Sequence, residues 1–216
     1  MAAAFFDLDR TLIDVNSAVL YAKFEKRHKR ISNWQLVSSL VYTGLYHFNF
    51  IDIEKAYEKA SSHYKGVTEA QMKERTTEFF MNEIRHRIQP GALEALDTHK
   101  QMSHKRVLLS TSSSYQAELA AQCWGLDHWI ANRFPTMGGI LDGSVAKPLC
   151  YGKGKVYWAE KWAEQHGICL KDSYFYTDSF SDLPMLLMVG HPRVVNPDPK
   201  LRRYAERNKW QILDWS

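Results

Sequence analysis

Two aspartates one residue apart, at the end of an apolar run, constrain this chain more than anything else in it: Ala3-Ala4-Phe5-Phe6-Asp7-Leu8-Asp9-Arg10-Thr11. A short apolar run of this kind reads as a buried strand, here over residues 2–8. Its carboxyl end then presents both acids at the edge of a sheet, which is where open α/β sheets bind their ligands. Two carboxylates held side by side away from water repel each other unless a cation joins them. The pair therefore points to a metal ion, a catalytic task, or both.

The rest of the sequence supplies the other strands. From about residue 16 to residue 87 the pattern is almost wholly helical: Leu20 and Phe24 are four apart, and Phe79 and Phe80 precede Ile84 and Ile88. Thr68 and Gln71 have the spacing of a capping box. Pro90-Gly91 marks a boundary. Beyond it strands and helices alternate: a helix over 92–102, a strand over 106–110, a helix over 115–124, a short strand over 129–131, a hairpin over 138–145, a helix over 155–166, and strands over 173–177, 193–196 and 210–213. Repeated βα units imply an α/β fold with a Rossmann-like, mostly parallel sheet covered by helices on both faces. The helical block is then an insertion after the first strand. The expected division is an α/β core of residues 1–14 and 88–216 and an all-helical cap of residues 15–87.

Composition narrows the setting. Twenty-eight Lys and Arg against 24 Asp and Glu give a net charge of +4, which suits an anionic small substrate and does not call for nucleic acid. Cys123, Cys150 and Cys169 are odd in number and widely spaced, so reduced thiols and a cytoplasmic location are expected. The apolar-looking stretch of residues 40–51 is broken by Gly44, His47 and Asn49 and falls short of the ~20 residues that span a bilayer, so no transmembrane segment is expected.

Four segments converge if the strands lie parallel: Asp7 with Asp9, Ser110 in a Ser/Thr run with Thr111 and Ser112 as its nearest substitutes, Lys155 after the turn Tyr151-Gly152-Lys153-Gly154, and Asp178 with Asp182. Four carboxylates, a hydroxyl and an ammonium are what phosphoryl transfer by a carboxylate nucleophile needs. A hard dication such as Mg²⁺ would offset the repulsion between that nucleophile and a phosphate dianion. A nucleotide loop is a poor reading of the Gly152-x-Gly154-Lys155 turn, because Val156 stands where Ser or Thr is required.

Asp7-Leu8-Asp9-x-Thr11, Ser110, Lys155 and Asp178-x-x-x-Asp182 stand in the order of the four motifs of the haloacid dehalogenase superfamily. The chain resembles most its phosphoserine-phosphatase-like branch, subfamily IB, across nearly its whole length. Pro184-Met185-Leu186 and Val195-Asn196-Pro197-Asp198 are similar to that branch as well. The resemblance implies that Asp7 attacks phosphorus and that Asp9 is acid and then base. It implies Mg²⁺ on Asp7, the Asp9 carbonyl and Asp178, phosphate contacts from Thr11, Ser110 and Lys155, and Asp182 as a support for Lys155 or a metal-bound water. It implies a Mg²⁺-dependent phosphatase of a small phosphorylated metabolite, phosphoserine-like or histidinol-phosphate-like. A lipid-phosphate phosphatase, a phosphotransferase and a catalytically weak binding protein are the alternatives. Two positions depart from the pattern: Arg10 replaces the usual Gly, and Ser179 and Ser181 flank Asp178 and Asp182 in place of Gly and Asn.

The basic run of residues 23–30 reads first as a solvated helix face, and Leu45, Tyr46, Phe48, Phe50 and Ile51 as cap core. Both features leave a substrate wall or a transient lipid contact through the cap open. Oligomeric state is not encoded in any feature of the sequence.

Overall fold

The computed structural model describes residues 1–34 and 53–215; the apolar residues from Leu45 to Ile51 lie outside these. Strand β1 (Ala3–Phe6) is the centre of the molecule, with every residue fully buried. It pairs in parallel with β2 (Lys105–Ser113) on one side and β6 (Tyr174–Thr177) on the other. Strand β3 (His128–Asn132) extends the sheet beyond β2, and β7 (His191–Val195) and β8 (Gln211–Leu213) extend it beyond β6. The order β3-β2-β1-β6-β7-β8 is parallel throughout. Connections leave β1 and β6 toward opposite edges of the sheet, so the crevice between their carboxyl ends is a topological switch point.

Strand alternation divides the core into two layers. Ala4 and Phe6, with Leu108 and Tyr176, face helices α4 (Pro90–Gln101) and α5 (Ser114–Trp124) through Ala92, Leu96, Ala117 and Ala120. Ala3 and Phe5, with Val107, Leu109 and Phe175, face α6 (Lys153–His166), α7 (Leu183–Met188) and α8 (Pro199–Arg207) through Ala159, Trp162, Met185, Leu186 and Leu201. Runs apolar on both faces are therefore what the sheet requires, and the Rossmann-like α/β fold follows from them.

Between β1 and α4 the described chain forms α1 (Ser17–Arg27), α2 (Ile53–Ser62), α3 (Glu69–Phe79) and a single π-helical turn over Phe80–Ile84. Asn16 caps α1, its side chain accepting from Val19 N at 3.0 Å. Thr68 and Gln71 close the capping box of α3 reciprocally, each bond 3.2 Å long. The stretch of residues 138–145 does not form a hairpin. The antiparallel pair is β4 (Thr136–Met137) with β5 (Ile140–Leu141), and Gly138 and Gly139, both at positive φ, make its two-residue turn. Positive φ at two successive residues is available to Gly-Gly at little cost, which is why the turn forms there and not at Asp142-Gly143.

Beneath the sheet, His99 of α4 is 2% exposed and both its ring nitrogens are engaged, Nε2 with the Tyr176 hydroxyl at 2.9 Å and Nδ1 with His104 Nδ1 at 3.0 Å. Burial, with the neighbouring His104 and Arg193 charges, pushes the His99 imidazole down to about 4. A histidine neutral in the fold but with a pKa near 6.5 in the unfolded chain stabilises fully above that value and loses its contribution as pH falls toward the folded pKa. Unfolding free energies from urea titrations at pH 7.5 to 4 should therefore fall further for the wild type than for His99→Gln, by roughly 3 kcal/mol across the pH 6.5 to 4 window. Parallel curves would contradict this.

Candidate functional site

The ends of β1 and β6 place the acids. Asp7 N donates to Tyr176 O at 2.9 Å, carrying the β1–β6 ladder one residue past Phe6, so the Asp7 side chain stands at the sheet's carboxyl edge. Asp178 follows directly on β6. Thr11, four residues beyond Asp7, braces the Asp178 backbone: its hydroxyl accepts from Asp178 N at 3.1 Å. Asp9 is held by Ser17 N, which donates to Oδ1 at 3.0 Å from the first residue of α1. Arg10 between them has φ 56°, the left-handed region that a glycine occupies without strain. Its side chain lines the cavity and is an additional cation felt by Asp9 and Asp178.

Lys155 comes from the opposite layer. Helix α6 begins at Lys153, two residues earlier than the sequence pattern suggests, so Lys155 lies in its first turn. Gly154 makes this possible: a Cβ there would lie 1.8 Å from the Leu149 carbonyl oxygen, so only a hydrogen lets the chain pass. The Lys155 ammonium is 1% exposed and donates at 2.7 Å to both Asp7 Oδ1 and Asp182 Oδ2. Thr177 Oγ1 donates to the same Asp182 oxygen at 2.7 Å. Asp182 occupies the N-cap position of α7, yet its carboxylate makes no cap bond and serves Lys155 instead.

Strand β2 runs three residues past Ser110, to Ser113. Ser110 Oγ accepts from Ser112 N at 3.1 Å, while the cap of α5 is Ser113, which accepts from Gln116 N at 3.3 Å. Asp7, Asp9, Ser110, Thr111, Ser112, Lys155, Asp178 and Asp182 all line one cavity of about 390 Å³. Thr11 does not: it is fully buried behind the wall, and its hydroxyl is spent on Asp178 N. The sequence pattern could not separate a threonine facing phosphate from one bracing the strand that carries an aspartate.

Several contacts were not legible in sequence. Tyr57 of α2 donates to Thr111 O, which also accepts from Asn132 Nδ2 at 2.6 Å. Ser17 and Ser112 hydroxyls meet at 3.4 Å across the same gap. Lys147 pairs with Glu54 and Glu58 at 3.1 and 2.7 Å. Asp198 N donates to Asp178 O at 2.9 Å and its carboxylate accepts from Phe180 N at 2.6 Å, holding the Asp178 loop. Of this last group the family resemblance touched only Val195-Asn196-Pro197-Asp198; the cap of α8, Asp198 Oδ1 accepting from Lys200 N and Leu201 N at 2.8 and 2.9 Å, is seen in the structure.

Electrostatics follow from burial and crowding. Burial, opposed by the Lys155 ammonium and aided by Asp182 and Asp9, pushes the Asp7 carboxyl up to about 7. Asp178 is held well above the usual carboxylate range by burial and then by Asp7 and Asp182. Asp9 is raised by burial, against hydrogen bonds from Ser17. Burial disfavours the Lys155 ammonium, but Asp182 and Asp7 outweigh it and hold the proton more tightly than usual. Cys150 is pushed up to about 12 by burial and stays a neutral thiol. Asp7, Asp9, Asp178 and Asp182 thus crowd around Lys155, with Arg10 as a further cation, at one end of the cavity. Among the described residues no three Asp, Glu, His or Cys side chains stand as a ready-made metal cluster, so a hard divalent cation would fit here on carboxylate oxygens completed by backbone or water oxygens.

The sequence model of haloacid dehalogenase-like hydrolases matches residues 4–187. A phosphoserine phosphatase of Mycobacterium tuberculosis (strain ATCC 25618 / H37Rv) is 28% identical over 99% of this chain and 71% of its own length. The histidinol-phosphatase of Neisseria meningitidis serogroup C (strain 8013) is 23% identical over 98% of both. A solved structure of a protein of unknown function from Bordetella pertussis Tohama I matches with a TM-score of 0.90 and 26% identity, over 100% of this chain and 99% of that one.

Removing one member of a buried ion cluster costs about 3–5 kcal/mol, because the remaining charges lose their compensation. Lys155→Met in the metal-free protein should lower unfolding free energy by that amount in urea titrations. A loss below about 1 kcal/mol, the size of an exposed pair, would contradict the assignment of Lys155 as the compensating charge.

Proposed function

Because the chain belongs to the haloacid dehalogenase-like hydrolases, we propose that it is a Mg²⁺-dependent phosphomonoesterase working through an aspartyl-phosphate on Asp7. The observation that carries this reading is Lys155 Nζ at 2.7 Å from both Asp7 and Asp182, in the cavity that Ser110 and Asp178 also line. Asp7, the backbone carbonyl of Asp9 and Asp178 would hold Mg²⁺. Bound there, the ion would neutralise charge on the phosphoryl oxygens and on the attacking carboxylate.

The residues of the chain divide the remaining work. Lys155 fixes the Asp7 carboxylate on one oxygen and leaves the other to attack phosphorus. Asp9, positioned by Ser17 N, gives a proton to the leaving oxygen and then takes one from the water that releases phosphate. A carboxyl raised by burial suits both halves of that task. Ser110, with Thr111 and Ser112 beside it, faces the phosphate. Asp182 holds Lys155 from behind, itself oriented by Thr177.

Residues 15–87 serve as a cap over a core of residues 1–14 and 88–216. The Tyr57–Thr111 bond and the Lys147 pairs with Glu54 and Glu58 join them. Closure of such a cap excludes bulk water and selects the substrate. A cavity of about 390 Å³ has room for a small phosphorylated metabolite, and the phosphoserine and histidinol phosphate of the relatives' names are both small enough to enter it. No described helix is long and apolar enough to cross a membrane, and a cytoplasmic location is proposed with the phosphatase reading.

Hydrolysis of 4-nitrophenyl phosphate should require Mg²⁺ and fall to background on chelation. Asp7→Asn should abolish it, and Asp9→Asn should lower kcat by about 10²–10⁴, the usual contribution of a general acid–base group. Turnover that survives chelation, or that survives in Asp7→Asn, would overturn the proposal.

A further inference from the structure

The cavity that holds Asp7 and Lys155 at one end is continued by side chains of the helices that follow β1. Ala18, Tyr21 and Ala22 of α1 line it, with Tyr57 and Ala60 of α2 and Tyr64 in the turn after α2. Residues three and four apart share a helix face, so α1 and α2 each turn one face to the cavity. All six side chains are half-buried or exposed, so their surfaces are open to it. The hydroxyls of two of the rings are spent within the protein: Tyr57 donates to Thr111 O, and Tyr21 to Met72 Sδ at 3.9 Å. What these rings offer the cavity is therefore carbon, and the alanines beside them leave room in front of it.

Charge on this side of the cavity disfavours an amino alcohol. Among the described residues between 15 and 87, the one carboxylate that lines the cavity is Glu25. It is already committed: Oε1 accepts from Arg30 Nη1 at 3.0 Å, and Arg75 Nη1 stands 3.7 Å from Oε2. Lys59 and His63 line the same wall and are exposed. An ammonium on the leaving group would leave water for a wall that has a lysine and no carboxylate to spare, and a charge moved from water without a partner is costly.

We infer that the leaving alcohol is an apolar arylalkanol without an ammonium group, its ring held against Tyr21, Tyr57 and Tyr64 in the room left at Ala22 and Ala60. Aromatic side chains pack on flat rings, and ligand pockets of this kind are mostly apolar with few polar groups. Ala22 and Ala60 are then specificity-determining positions. The inference rests on the phosphatase reading above and adds the class of substrate.

The test compares phosphate esters of primary alcohols, using the Mg²⁺-loaded enzyme. 2-Phenylethyl phosphate should exceed ethyl phosphate by at least about 10-fold in kcat/KM, the least that moving a phenyl ring from water to an apolar wall supplies. It should also exceed phosphoserine and histidinol phosphate, which carry ammonium groups, and n-octyl phosphate, which has a chain in place of the ring. Ala22→Leu and Ala60→Leu should each bring the phenylethyl-to-ethyl ratio below about 3, because the larger side chain takes the place of the ring. Both esters are read on one preparation, so any loss of folded enzyme cancels from the ratio. A wild-type ratio near one, a ratio unchanged in both variants, preference for an amino-bearing or the octyl ester, or turnover of 4-nitrophenyl phosphate alone overturns this inference and leaves the phosphatase standing. Failure of the wild type to hydrolyse any ester, 4-nitrophenyl phosphate included, overturns both.

Discussion

The ammonium of Lys155, buried between Asp7 and Asp182 at 2.7 Å from each, is the interaction on which the rest of the site depends. An unpaired charge at 1% exposure would not remain a charge. Each partner arrives from a different part of the fold: Asp7 from the central strand, Asp182 from the turn after β6, Lys155 from the first turn of α6 on one face of the sheet. The parallel order of the sheet brings them together, and Gly154, pressed against the Leu149 carbonyl, sets the height of the lysine. The Asp178 loop is then fixed beside this triad through Thr11, Thr177 and Asp198.

The same arrangement is electrostatically incomplete. One buried ammonium satisfies two carboxylates, while Asp178 and Asp9 remain beside them and burial holds Asp7, Asp9 and Asp178 above their ordinary range. Folding alone would favour apolar residues at such a place. Carboxylates kept there at a cost in stability are expected where charge must be supplied to a reaction, and the proposed dication and phosphoryl group are the species that relieve the crowding.

Much of this was legible in the sequence, for identifiable reasons. Strand β1 showed because a central strand buried on both faces has to be apolar at every residue, and the acids that follow it mark where the sheet ends. The capping box at Thr68 showed because its chemistry is local. The hairpin was misplaced because Gly138-Gly139 and Asp142-Gly143 compete as turn signals, and pairing with the Val67–Thr68 segment helps settle the register. Thr11 was given a phosphate contact because motif spacing records position and not which way a hydroxyl faces. The Ser17–Ser112 and Tyr57–Thr111 contacts left no trace, since they join residues 95 and 54 apart in sequence. Arg10 reads as an anomaly until its positive φ is known; the backbone there keeps the conformation suited to glycine while the side chain adds a cation.

The claim that Asp7 is the nucleophile is tested most directly by trapping the covalent intermediate. The Mg²⁺-loaded enzyme would be mixed with an isotopically labelled phosphomonoester, quenched in acid within a turnover, reduced with borohydride and mapped by peptide mass spectrometry. The account predicts that Asp7, and no other acid of the cavity, has been converted to homoserine in proportion to the label bound. Label on Asp9 or Asp178, or rapid turnover with Asp7 unmodified at every quench time, would contradict it.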